Sequence, residues 1–138
     1  MSKKVVITIA DRHEIDGEFE EAKLTTVGEY EETENGFTLT YNETEDFVGS
    51  ITTLTVADES VSMKRSGPAH NAHLIVEPGK RYSCRYNTEY MDLMLGVQGR
   101  EVKYNIGADK GRLFFSYTLD FNAGFSSQNE LNVTFRFE

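Results

Sequence analysis

The 138-residue chain contains no tryptophan, two prolines and a single cysteine. One thiol, Cys84, permits neither an internal disulfide nor a thiolate cage for a metal. No apolar run approaches the ~20 residues of a membrane-spanning helix, so no membrane partner is expected. The apolar stretch Val5 to Ala10 behind Lys3 and Lys4 is too short for a signal-peptide core, and a cytoplasmic location is expected. Phosphate-cradling glycine loops, Walker motifs and nucleophile elbows are all missing. His70 and His73, three apart on a strand, face opposite sides and cannot share a metal ion. Adjacent carboxylates such as Glu20-Glu21 and Glu31-Glu32 also point to opposite faces, which makes them surface charge rather than an acid–base dyad. Neither an enzyme nor a cofactor or metal site is expected.

Basic charge is also scarce. Fourteen Lys and Arg stand against 23 Asp and Glu, for a net charge of −9. Residues 1–60 hold 15 acids against 4 bases, whereas residues 61–138 are close to neutral. A chain of this balance repels phosphate backbones, so no nucleic-acid partner is expected.

What is present is β-pattern. Roughly a quarter of the residues are Leu, Ile, Val or Phe, enough for one packed domain over 1–138. Apolar residues recur with period two and no helical stripe competes. Val5, Ile7 and Ile9 mark a first strand. Residues 22–30 mark a second, and Phe37, Leu39 and Tyr41 a third. Asn35-Gly36 is read as a type I′ hairpin turn between the last two. Further strands are read at 50–57, 59–66, 70–77, 80–86, 90–97 and 100–106. The segment Thr88 to Leu95 also fits a short helix, and a strand is expected there. Leu113, Phe115, Tyr117, Leu119 and Phe121, then Leu131, Val133, Phe135 and Phe137, form the last pair. Glu77-Pro78-Gly79, Asp109-Lys110-Gly111 and the Gly124 region supply short links. About ten strands joined tightly pair antiparallel in sequence order, which gives an all-β meander barrel or a two-sheet sandwich.

Several short motifs carry a family likeness. They are Gly49-Ser50-Ile51-Thr52-Thr53, Met63-Lys64-Arg65-Ser66-Gly67, Tyr86-Asn87-Thr88-Glu89-Tyr90, and Lys110 through Tyr117, with Asn129 to Phe137 closing the chain. In this order the chain resembles the YwiB-like bacterial proteins, a family of unknown function with a lipocalin-like (calycin) barrel. The resemblance implies a single antiparallel meander barrel of about 8–10 strands and no activity.

One position stands out. Val61, Met63 and Arg65 share a strand face, which places a guanidinium on the inward side near a strand end. Such a group needs a carboxylate or a bound anion. Two readings stay open: Arg65 anchors a small amphipathic or anionic ligand inside the barrel, or it pairs with protein groups at the rim. Tyr82, Tyr86 and Tyr117 face inward with it and complete the candidate ligand-binding set; Tyr30, Tyr41 and Tyr104 share the inward face. Cys84, between Tyr82 and Tyr86, is expected in the core. Arg81 and Arg85 are expected outside, forming a basic patch with Lys64 and Lys80. The rival function is an interaction or structural module with a packed barrel.

Overall fold

The structure, a computed structural model, describes residues 2–43, 49–67, 70–88, 92–121 and 125–138. Ten strands follow in order: β1 (Ser2–Ile15), β2 (Glu18–Glu32), β3 (Gly36–Asn42), β4 (Ile51–Ala57), β5 (Ser60–Ser66), β6 (His70–Val76), β7 (Arg81–Thr88), β8 (Asp92–Ile106), β9 (Lys110–Phe121) and β10 (Phe125–Phe137). Each is antiparallel to the next, and β1 pairs with both β2 and β10, which closes the sheet into a barrel. The meander follows from the short links, because parallel neighbours would require long crossovers. Closure removes the free edges that an open ten-strand sheet would expose.

Local chemistry sets the links. Asp16 and Gly17 both have positive φ, 51° and 82°, and form the two-residue turn from β1 to β2. Asp-Gly is a favoured type I′ pair. The Asn35-Gly36 expectation is corrected: neither residue has positive φ, and Thr33 N–H donates to the Gly36 carbonyl across a wider turn. Glu77-Pro78-Gly79-Lys80 has the form of a type II turn, with proline fixing φ, Gly79 at +78°, and Lys80 N–H bonded to the Glu77 carbonyl. The two strands read at 90–97 and 100–106 are one, β8, carrying a bulge between Gly99 and Glu101. The extra residue flips the alternation, so Val97 and Val102 both face inward. Of the ambiguous Thr88 to Leu95 segment, 92–95 is strand, while 89–91 and the Gly124 connection lie outside the described residues.

The inward face is a continuous core. Val5, Ile7, Phe37, Leu39, Leu54, Val56, Val61, Val97, Leu113, Phe115 and Val133 are fully enclosed. Phe135 and Tyr117 are buried as expected; Leu119 is half-buried. One end of the lumen is plugged by rings. Tyr30 stacks on Phe37 and Phe135 at centroid distances of 5.5 and 5.6 Å, and Tyr104 meets Phe37 edge-on at 5.7 Å. Tyr104 keeps the inward register but sits at this rim, still 39% exposed. Gly28 belongs to the same inner wall: a Cβ there would run into the Thr40 carbonyl and the Ile7 side chain.

Candidate functional site

The opposite end of the lumen is polar. On β1, the alternation that buries Val5, Ile7 and Ile9 carries on to Asp11 and brings its carboxylate to the inner face. On the β3 side, the period that buries Phe37, Leu39 and Tyr41 delivers Glu43 just past the strand end, where Glu43 N–H bonds the Ser50 carbonyl. Arg65 lies in one cross-strand rank with Tyr41 and Thr52 on one side, and Ala72 and Tyr86 on the other. Its Nη2 stands 3.7 Å from Glu43 Oε2, with the two side chains only 17% and 9% exposed. Arg65 therefore points inward as its spacing predicts, and its guanidinium has a protein carboxylate beside it.

Burial and charge shift the neighbours together. The Tyr41 and Tyr117 hydroxyls are both pushed well above the ordinary tyrosine range, first by burial. The negative charge of Glu43 adds to this at Tyr41, and that of Asp11 at Tyr117, while Arg65 opposes both. Asp11 is also raised, chiefly by desolvation, although His13 and Arg65 pull it the other way. Its Oδ1 is 3.9 Å from His13 Nδ1, and His13 Nε2 reaches Glu20 at 3.0 Å. Thr52 Oγ1 is buried beside the Tyr41 hydroxyl without a hydrogen bond of good geometry. Two carboxylates, one guanidinium and two phenols can thus grip a polar group by hydrogen bonds. The acids outnumber the base, so the cluster carries no surplus positive charge.

The four expected ligand-binding residues divide. Arg65 and Tyr117 belong to the polar cluster, and half-buried Tyr86 shares Arg65's rank across Ala72. Tyr82 does not join them. It lies four residues, about 13 Å, down β7, and its hydroxyl donates to Glu77 Oε1 at 3.2 Å. The sequence reading missed Asp11 and Glu43, although extending the two alternations by one period would have found both.

Outside, two of the four cations of the expected basic patch are taken up in ion pairs, while exposed Lys64 and Arg85 form none among the described residues. Arg81 lies over Gly96 and makes a two-pronged pair with Asp120, and Lys80 binds Glu77 at 2.6 Å. Exposed His73 bonds Ser62 Oγ at 2.8 Å, while the His70 side chain lies outside the described residues. Cys84 is buried. Among the described residues no group of three or more His, Cys, Asp or Glu is placed to hold a metal.

Comparison with known proteins agrees with this architecture. The crystal structure of the ywiB protein from Bacillus subtilis superposes with a TM-score of 0.89 over 99% of this chain and 93% of that one, at 20% identity. No curated protein matches. The family model described as "Domain of unknown function (DUF1934)" matches residues 7–133. The resemblance read from the motifs and the barrel built from them meet in one conclusion: the chain belongs to the DUF1934 family, a YwiB-like group of unknown function.

Proposed function

We propose that this barrel is a cytoplasmic, non-catalytic binding module for a small amphipathic molecule held inside the lumen. The supporting observation is the polarity of the interior. An aromatic plug at one end faces a mostly buried cluster of Asp11, Glu43, Arg65, Tyr41 and Tyr117 at the other. Burying such groups costs free energy that an apolar filling would avoid. Ten strands also enclose a wider lumen than the eight whose side chains just fill a barrel. Glu43 neutralises Arg65 and Asp11 adds a second acid, so a hydroxylated, amide or zwitterionic end group suits the cluster better than a bare anion. An anion would have to displace Glu43.

A second reading, a packed structural or interaction module, is favoured by the same Arg65–Glu43 pair, because a paired guanidinium requires no ligand. Native mass spectrometry of the protein purified from its own host separates the two. Ligand binding predicts a co-purified small molecule that is absent from Arg65→Met. A wild-type spectrum holding the bare chain mass alone would support the packed module.

A further inference from the structure

A second site candidate lies on the outer wall, away from the polar end of the lumen. A concavity of about 730 Å³ crosses β2, β1, β10, β9 and β8, lined by Val6, Thr8, Arg112, Thr134, Arg136 and Lys110 among others. Such a volume lies within the range of small-molecule sites. Lys110 is the direct cross-strand partner of Arg136, and Arg112 stands two residues from Lys110, opposite Thr134. Residues so related have Cβ atoms about 5–8 Å apart on one sheet face, so three cationic side chains rise from one patch of the wall.

The charge pattern around them is specific. Three successive ranks of the outer wall carry no acid: Val27–Val6–Arg136–Lys110, Thr25–Thr8–Thr134–Arg112–Asn105 and Lys23–Ala10–Asn132–Phe114–Lys103. In a chain of net charge −9 this is the reverse of the average surface. Arg12, Arg65 and Arg81 each pair with a carboxylate, Glu21, Glu43 and Asp120 respectively, while Arg85 and Arg100 stand singly elsewhere on the wall with no ion pair among the described residues. Among the described residues, Lys110, Arg112 and Arg136 form no ion pair, and Asp109, next to Lys110 in sequence, does not reach it. Mutual repulsion of three unpaired cations is relieved when an anion enters. Hydroxyls of Thr8, Thr25 and Thr134 and the amide of Asn105 border the same floor as hydrogen-bond partners for its oxygens.

We propose that this groove binds the di- or triphosphate group of a small phosphorylated molecule. Arg112 and Arg136 supply forked donors and Lys110 a point charge. The basic zone is also bounded. The next rank on one side is Glu21–Arg12–Glu130–Ser116–Glu101, and Glu29 faces Lys4 on the other. These acids repel any polyanion that extends past the groove, which selects a compact ligand over a nucleic-acid strand or a lipid surface.

Titration calorimetry of the whole protein with inorganic tripolyphosphate in low-salt buffer tests this. Wild type should bind saturably at one site, weakening as salt rises. Arg112→Gln, and Lys110→Gln combined with Arg136→Gln, should each weaken binding about tenfold or more, with far-UV circular dichroism unchanged because these side chains are exposed. Lys64→Gln, an exposed cation outside the groove, should bind as wild type, which ties the binding to the groove rather than to the overall charge. The proposal is overturned by an absence of saturable binding, or by equal binding in the double variant. Tighter binding to phosphatidic-acid vesicles or to a single-stranded oligonucleotide overturns it as well.

Discussion

Glu43 holds more of the interior electrostatics than its position beyond a strand end implies. Its carboxylate is the partner of Arg65 in a space where both side chains are mostly withdrawn from water. Glu43→Gln leaves the guanidinium there without that charge and should cost about 3 kcal/mol in urea unfolding, the scale of breaking a buried pair. Arg65→Met leaves Glu43 and Asp11 facing one another. That variant should regain stability as the pH is lowered and Asp11, already raised and now without the opposing pull of Arg65, takes up its proton. Asp11 itself already has a raised pKa through desolvation. Its folded carboxyl holds a proton more tightly than the unfolded one, so its ionisation weakens the fold as pH climbs through the folded value. Asp11→Asn should melt no lower than wild type at neutral pH and should lose the relative gain that wild type shows near pH 4. A lower neutral melting temperature would mean that attraction to Arg65 and His13 outweighs desolvation.

At the scale of elements, two glycines separate conformational from steric cost. Gly17 has φ +82° and open space around its missing Cβ. Gly17→Ala should therefore cost only the strain of left-handed backbone, about 1 kcal/mol. Gly28 has no such φ but lies against the Thr40 carbonyl and Ile7. Gly28→Ala must part β2 from β3 and should cost clearly more than Gly17→Ala by the same denaturant titration. The strands themselves were legible: the inward sets Val5–Ile9, Phe37–Tyr41 and Leu113–Tyr117 are buried as their alternation dictates. The turn at Asn35-Gly36 was not, because a wider loop with its own Thr33–Gly36 hydrogen bond closes β2 onto β3. The bulge in β8 was read as a break between strands, since one extra residue mimics the end of a period.

For the whole molecule, closure makes every strand answerable to two neighbours. Phe135, 2% exposed, touches Tyr30, Phe37 and Phe137 from β2, β3 and its own strand. Phe135→Ala should cost about 3–5 kcal/mol, measured as a lowered urea midpoint at unchanged slope. A loss under about 1 kcal/mol would show that the aromatic plug relaxes into the vacated volume.

The sequence by itself determined the all-β class, the meander order and which side of each strand is buried. Those follow from period-two alternation and short links, both of which are local along the chain. It also determined that Arg65 points inward. Only the tertiary structure decided what Arg65 meets, because Glu43, Asp11 and Tyr117 come from β1, β9 and the end of β3 and converge only when the sheet closes. The same holds outside. Lys110, Arg112 and Arg136 are unremarkable in a chain so acidic overall. They form a basic groove because strand pairing sets β9 against β10 in a register that keeps every carboxylate out of three consecutive ranks. Register is a property of pairing between distant segments, and no single segment encodes it.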